Sequence, residues 1–196
     1  MVNRMTSLGA MVFGLVVLLM QTGCDQGQSR VVPPSVNPNE AGKKAMELYD
    51  KNGDGKISGA EFDAAPALKD GLPQFRSTVE KGITAEDIAD RIRQWQERKV
   101  ARANFSCQVT RNGQPVEGVE VKLVPEVFLG DSFQPATGKT SEGGIASISL
   151  PVNSADDAPG VAPGYYNIVI NNVPTKYGVE VGSDFRKHGQ AVYEIK

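Results

Sequence analysis

The sequence predicts an α+β fold in two domains, a small helical domain followed by an antiparallel β-sandwich. Three observations predict it. Apolar residues recur at helical spacing up to about residue 101, they alternate with polar residues from residue 104 onward, and Gly-rich turns separate the alternating segments. The chain has 196 residues and a net charge of −2 without a basic block, so we expect no nucleic-acid partner.

The first 39 residues predict export and attachment to a membrane. Residues 1–23 carry Arg4 and then an apolar stretch over residues 8–20, which is the layout of a secretory signal peptide. The stretch is shorter than the roughly 20 residues that a membrane-spanning helix needs. Residues 24–39 contain adjacent prolines and no apolar period, which predicts a tether.

The segment QTGC at residues 21–24 resembles the lipobox of bacterial lipoproteins. This resemblance implies that Cys24 is lipidated and that the protein is exported and anchored to a membrane of the bacterial cell envelope. With Cys24 acylated, Cys107 has no thiol partner in the chain. Because Cys107 alternates with Phe105 and Val109, we expect it to be a buried core residue.

The strongest chemical signal is a predicted calcium loop. Residues 50–61, DKNGDGKISGAE, match the pattern D-x-[DN]-x-[DN]-G-x5-E at every specified position. Calcium takes about six to eight oxygen ligands, which such a loop supplies from alternate positions. The alternative is a surface turn rich in Asn, Asp and Gly. The expected ligands, with Lys56 acting through its backbone carbonyl, are Asp50, Asn52, Asp54, Lys56, Ser58 and Glu61.

This loop is typical of an EF-hand. EF-hands normally pair, so residues 40–101 are expected to form an EF-hand domain with a second loop. Residues 76–87 align with the first loop and bring Ile83 level with Ile57. Arg76 stands at the first ligand position, and a lysine replaces the turn glycine. We therefore expect a degenerate hand that binds no calcium and supports the first through a short pairing of the two isoleucines.

A capped helix is predicted after the second loop. Thr84 and Asp87 have the spacing of a capping box, in which a side chain and a backbone N–H three residues apart bond reciprocally. Apolar residues including Ile92 and Trp95 then recur on one helical face, which favours a buried helix. The helix is expected to end within residues 98–102.

Residues 104–196 are predicted to form the β-sandwich. Strands with one apolar face need a second sheet to cover them, which favours a sandwich with Greek-key connections. Turns such as Asn112-Gly113 separate the strands. The alternating sets are Phe105/Cys107/Val109, Val119/Val121/Leu123, Ala146/Ile148/Leu150, Tyr166/Ile168/Ile170 and Ala191/Tyr193/Ile195.

Three segments of this region resemble carboxypeptidase-regulatory-like, transthyretin-like domains. They are GQPVEGVEV at residues 113–121, TSEGGIA at residues 140–146 and PGYYNI at residues 163–168. The resemblance implies a transthyretin-like or Ig-like sandwich and says little about activity. The order of lipobox, EF-hand, helix and sandwich also resembles planctomycete-type EF-hand lipoproteins.

Enzymatic activity is not expected. Transthyretin-like hydrolases use several histidines and a C-terminal Tyr-Arg-Gly-Ser, whereas this chain has one histidine, His188, and ends in Tyr-Glu-Ile-Lys. Asp156 and Asp157 lie in a segment rich in Pro, Gly and Ser, which predicts a solvated turn. No nucleophile, base and orienting group can be named together.

The loops predicted at residues 125–138 and 171–189 are the candidates for contact with an unknown protein or glycan. The first contains the apolar residues Val127-Phe128-Leu129 and the second contains Lys176-Tyr177 after Pro174; each group is expected to fold back over a sandwich edge instead.

The leading hypothesis is a calcium-binding, lipid-anchored, non-enzymatic envelope protein with a structural or binding sandwich. One alternative is a dockerin-like partner in calcium-dependent assembly. Another is an exported hydrolase that depends on His188.

Overall fold

The computed structural model describes residues 32–151, 159–182 and 191–195. The predicted signal peptide and Cys24 lie outside these residues, as do Asp156, Asp157 and His188. The described residues form an α+β structure in which a helical segment precedes two β-sheets.

The helical segment consists of short elements separated by turns. The side chain of Asn37 caps α1 by accepting hydrogen bonds from the backbone N–H groups of Asn39 and Glu40, at 3.1 and 3.3 Å. α4 ends at Arg98, within the range expected from the sequence. The elements are α1 (Pro38–Tyr49), a 3-10 helix (Gly59–Asp63), α2 (Pro66–Asp70), α3 (Leu72–Phe75) and α4 (Ala85–Arg98).

Eight strands and one further 3-10 helix follow within the described residues. The first sheet contains β1 with β2, β5 and β8 around it, and the second has the order β4-β3-β6-β7. The elements are β1 (Phe105–Arg111), β2 (Gln114–Pro115), β3 (Glu120–Pro125), a 3-10 helix (Val127–Leu129), β4 (Ala136–Lys139), β5 (Ile145–Ile148), β6 (Gly164–Ile170), β7 (Val173–Val181) and β8 (Ala191–Glu194).

The strand pairings are antiparallel with one exception. β8 runs parallel to β1, with Cys107 level with Ala191. The prediction of antiparallel strands was therefore wrong for the pair β1 and β8. The chain leaves β7 in the second sheet and enters the first sheet as β8, so β8 does not arrive through a hairpin with β1.

The expectation that residues 171–189 form a loop was also wrong, because residues 173–181 form β7. The sequence of this strand lacks a regular alternation of apolar and polar residues, and it contains Pro174 and Gly178, which are uncommon within strands. Gly178 has a packing role: a Cβ atom at this position would lie 2.2 Å from the backbone nitrogen of Ala67. The glycine therefore lets α2 approach the strand closely.

The alternating apolar sets of the sequence form a core between the two sheets. Cys107 is fully buried and free, and burial raises the pKa of its thiol to about 12, so the thiol is unreactive as expected. The buried residues of both sheets include Phe105, Val109, Val121, Leu123, Ala146, Ile148, Ile168 and Ile170.

The helices pack on the second sheet through an aromatic cluster around Tyr165 of β6. Tyr165 is fully buried, and its ring lies 4.9 Å from Trp95, 5.9 Å from Phe128 and 6.2 Å from Phe75, measured between centroids. Neighbouring Tyr166 is also fully buried. β6 is thus covered on both faces, and the described residues make one compact unit. The proposed boundary between two domains at residues 101–104 stays a prediction.

The end of the predicted tether is in contact with this unit. The carbonyl of Val36 accepts a hydrogen bond from Gln96 Nε2 at 2.8 Å, and the carbonyl of Ser35 accepts one from the hydroxyl of Ser132. Among the described residues, no helix has both the length and the apolar character needed to cross a membrane.

Candidate metal centre

The predicted calcium loop begins where α1 ends and closes where a 3-10 helix begins. Asp50 is the C-cap residue of α1, and Ser58 is the N-cap residue of the 3-10 helix Gly59–Asp63. Gly55, at the position where the pattern requires glycine, has a φ of +83°, in the left-handed region that glycine adopts without strain. Ile57 is fully buried, as predicted.

A carboxylate at each end of the loop accepts hydrogen bonds from the loop backbone. Asp50 accepts from the N–H groups of Gly53 and Gly55, at 2.7 and 3.0 Å. Glu61 reaches back across the loop, and its Oε1 accepts from the N–H groups of Lys51 and Asn52 at 2.8 and 3.2 Å. Residues eleven positions apart in sequence therefore lie on either side of one small loop.

Two further predicted ligands turn the chain between these ends. Asn52 Oδ1 accepts from the N–H of Asp54 at 2.8 Å, and Asp54 Oδ1 accepts from the N–H of Lys56 at 2.9 Å. Such bonds between an Asx side chain and the N–H two residues on form Asx turns. Hydrogen bonding from Ser58 N–H and, to a smaller extent, from the start of the loop lowers the pKa of Glu61, which favours its anionic form.

The acids alone do not form a metal cage. Within the described residues, no group of three or more His, Cys, Asp or Glu side chains is placed to hold a metal ion. The predicted coordination also uses the amide of Asn52, the carbonyl of Lys56 and the hydroxyl of Ser58. Each oxygen of Asp50 accepts one backbone hydrogen bond and keeps a lone pair for a cation, whereas Glu61 Oε1 already accepts two.

The predicted pairing of the two loops is present. Ile57 and Ile83 form an isolated antiparallel bridge, with N–H to O distances between backbone atoms of 2.9 and 3.0 Å in the two directions. Gly59 N–H also donates to the carbonyl of Val79 at 2.8 Å. Both isoleucines are fully buried, so the bridge connects the loops through the core of the helical segment.

The two loops also end in the same way. Glu61 Oε2 accepts from Ser58 N–H at 2.9 Å, and Asp87 Oδ2 accepts from Thr84 N–H at 2.8 Å. In both loops, the acid three residues after a hydroxyl residue fixes the start of the following helix. The correspondence extends the alignment that matched Ile57 with Ile83.

The second loop holds the residues that we expected to exclude a cation. Arg76 is exposed, has a φ of +52° and caps the end of α3. Thr78 Oγ1 accepts from the N–H of Lys81 at 3.2 Å. Asp87, which aligns with Glu61, is engaged in the capping box of α4.

Replacing Gly82 with alanine is expected to destabilise the protein by more than the same change at Gly53. Both glycines have a positive φ, +71° and +72°, so both variants carry backbone strain of about 1 kcal/mol. A Cβ atom at Gly82 would also lie 2.7 Å from the carbonyl oxygen of Ile57, whereas nothing lies within 4 Å of one at Gly53. We expect a total loss of about 2 to 4 kcal/mol for Gly82→Ala in urea unfolding without calcium. Equal losses for the two variants would contradict a tight contact between the loops.

A buried ion pair that the sequence did not predict joins α4 to β7. Arg91 donates from Nε and Nη2 to Glu180 Oε1, at 2.7 and 2.6 Å. The side chain of Glu180 is 3% exposed, and its backbone N–H donates to Asp70 Oδ2 at 3.0 Å. Burial raises the pKa of Glu180 to about 7 against the opposing effect of Arg91, and burial also raises the pKa of Asp70.

A second buried carboxyl group joins the end of α1 to the segment that follows β3. Tyr49, the last residue of α1 and the neighbour of Asp50, donates its hydroxyl to Glu126 Oε2 at 2.6 Å. Glu126 is 1% exposed, and burial raises its pKa. The Tyr49 ring also meets Phe128 edge-on, with 6.5 Å between the centroids. The end of α1 is therefore fixed to the segment after β3.

The loop at residues 125–138 is only partly a free surface. Phe128 and Leu129 are buried, which confirms that they fold back onto the body of the protein, whereas Val127 is 77% exposed. In the other proposed contact segment, Tyr177 lies in β7 and its ring packs against Tyr193 at 5.2 Å between centroids. Among the described residues of these two segments, the exposed large apolar side chains are Val127 and Val173.

Comparison with models of protein families finds no match to the chain, and comparison with curated proteins finds no match either.

Proposed function

We propose that the protein is a calcium-binding, lipid-anchored protein of the bacterial cell envelope, with one functional EF-hand loop at residues 50–61. The observation that carries the proposal is the complete match of these residues to the calcium-loop pattern. It is supported by the backbone bridge between Ile57 and Ile83, since paired hands are joined at this position. The second loop, with Arg76 at the first ligand position, braces the first and takes no ion.

The binding of calcium would require Glu61 Oε1 to exchange a backbone hydrogen bond for the cation, whereas the oxygens of Asp50 each keep a free lone pair. Both side chains already lie at the two ends of one loop, so the change is a local rotation of side chains and peptide groups. The expected ligands remain the oxygens of Asp50, Asn52, Asp54, Lys56, Ser58 and Glu61. Exported calcium modules bind at roughly 10⁻⁴ to 10⁻³ M, which suits a structural role more than a sensing one.

The two sheets are proposed to form a transthyretin-like sandwich that serves as a structural or binding module without catalysis. The resemblance of residues 113–121, 140–146 and 163–168 to that family supports this assignment, as does the core shared by both sheets. The proposed attachment to the membrane rests on the lipobox-like residues 21–24. The entering helix α1 counts against the dockerin-like alternative, because dockerins lack an entering helix on their first loop.

A calcium titration tests the proposal. In a terbium luminescence titration with excitation of Tyr49, the full chain is expected to give a saturable signal that calcium displaces. At about 100 times the dissociation constant, calcium should raise the free energy of unfolding by about 2.7 kcal/mol. The double variant Asp50→Ala with Glu61→Gln should lose both effects.

Asp63→Asn is the matched control for these variants. Asp63 is an exposed acid just outside the loop, where it pairs with exposed Lys69 at 3.1 Å. Its removal changes the local charge without removing a predicted ligand, so terbium binding should be nearly unchanged. The absence of a saturable signal in the unmodified chain, or an equal signal in the double variant, would refute calcium binding at this loop.

A further inference from the structure

A solvent-open cavity of about 540 Å³ lies beside the second sheet, away from the calcium loop. Lys122 of β3 and Thr137 of β4 line it, together with Arg102 from the connection between α4 and β1. Leu150 and Ala162 provide an apolar wall, and Val32 and Pro34 also line the cavity.

The described charged residues of this cavity are both cations. Arg102 and Lys122 line it, and no described Asp or Glu does. Within the described part of the chain, neither cation forms an ion pair; the pairs present there involve Lys69, Arg91 and Arg93.

Arg102 also has an unmet hydrogen-bonding requirement. Its Nε atom is buried and has no partner among the described residues. A buried donor without a partner typically costs about 1 to 3 kcal/mol, and more when it is charged. Arg102 lines the cavity, and no carboxylate is among the described residues there. An anion in the cavity would contact the Nη groups, since the buried Nε is out of its reach, and would offset the charge of the guanidinium.

The sheet holds the other polar groups in fixed positions. Lys122 and Thr137 are directly paired across β3 and β4, so their side chains leave the same face about 5 Å apart. Thr137 is held on its other side by two backbone hydrogen bonds with Ser149, at 2.9 and 3.0 Å. A cation and a hydroxyl donor are therefore presented together by strands that are anchored on both sides.

We propose that this cavity binds a small molecule bearing a phosphate or carboxylate group. Arg102 provides a planar fork of donors that matches two oxyanion oxygens, Lys122 provides a point charge, and the hydroxyl of Thr137 donates a third bond. The apolar wall formed by Leu150 and Ala162 receives a non-polar part of the ligand. The site is separate from residues 50–61 and does not depend on calcium.

Titration of the full chain with two simple anions tests the proposal. Inorganic phosphate and propionate are added separately in calcium-free buffer containing EDTA, and binding is followed through backbone amide shifts in NMR spectra. Saturable shifts confined to the residues around the cavity are expected with at least one anion. A response to phosphate alone assigns the ligand to the phosphate class, and a response to propionate alone assigns it to the carboxylates.

Three variants identify the residues responsible. Arg102→Gln and Lys122→Gln are each expected to weaken binding about tenfold or more, as expected for the loss of a charge-assisted hydrogen bond. Lys139→Gln is the matched control, because Lys139 is an exposed lysine on the same sheet that does not line this cavity. Unperturbed amide shifts elsewhere show that each variant is folded. Linear, unsaturated shifts with both anions, or equal weakening in all three variants, would overturn the proposal while leaving the calcium site unaffected.

Discussion

Replacing Arg91 with alanine is expected to lower the free energy of unfolding by about 3 to 5 kcal/mol, because Glu180 is then left buried without its cation. Both side chains are almost fully buried, and they contribute two bonds of less than 3 Å between α4 and β7. No solvent is available to replace the lost guanidinium. The loss is measured from urea unfolding, as a change in midpoint at constant slope.

The matched control is Arg93→Ala on the same helix. Arg93 pairs with Glu86 and Asp90, but all three side chains are at least 36% exposed. Ion pairs at such positions contribute about 0 to 1 kcal/mol, because water and salt screen them. Similar losses for the two variants would contradict the special importance of the buried pair, and would indicate that the loss of a positive charge on α4 explains both.

The cost of Arg91→Ala is also expected to depend on pH. In the unmodified chain, burial already raises the pKa of Glu180 to about 7, and removal of the opposing cation raises it further. A raised pKa means that the folded state holds the proton, so its stability is greatest below the unfolded value of 4.5 and falls as pH rises through the folded value. The variant should therefore lose less stability at pH 5 than at pH 8. A second substitution, Glu180→Leu, should recover most of the loss at pH 8.

The position of Arg91 explains why the pair was not predicted from the sequence. Arg91 lies within the helical stripe of Ile88, Ile92 and Trp95, which is an unusual location for a cation and a sign that it is buried. The sequence gives no means of finding its partner, which lies 89 residues away in β7. The position of Arg91 in its helix thus indicates a buried charge, whereas the identity of its partner depends on tertiary packing.

Other parts of the fold were predictable because their causes are local. The capping box of Thr84 and Asp87 and the buried face of α4 follow from spacing within one helix. The bridge between Ile57 and Ile83 followed from aligning two loops of the same length. Strand β7 was missed because its sequence, VPTKYGVEV, has no regular apolar period, whereas its pairing with β6 depends on tertiary structure.

Replacing Tyr165 with alanine is the second change with a large expected effect. The Tyr165 ring is fully buried and contacts aromatic residues of three separate elements, Phe75, Trp95 and Phe128. Its removal leaves a cavity where the helices meet the second sheet, and we expect a loss of about 3 to 5 kcal/mol in the free energy of unfolding. The helices would lose the central residue of their contact with β6.

Tyr165→Phe separates the ring from its hydroxyl group. The buried hydroxyl has no hydrogen-bond partner among the described residues, so its removal should be neutral or stabilise the protein by about 1 kcal/mol. The single tryptophan of the chain, Trp95, lies against the Tyr165 ring and reports on the contact by fluorescence.

In Tyr165→Ala, the emission of Trp95 is expected to shift to the red as water enters, whereas Tyr165→Phe should leave it unchanged. Tyr165→Leu provides an intermediate volume if the alanine variant fails to fold. An equal loss for Tyr165→Phe would assign the effect to the hydroxyl group and contradict the role of the ring. A loss below about 1 kcal/mol for Tyr165→Ala would mean that the helices are held to the sheet by other contacts. The buried Arg91–Glu180 pair and the Tyr49–Glu126 hydrogen bond would then be the principal connections, because they join the same two layers at separate points.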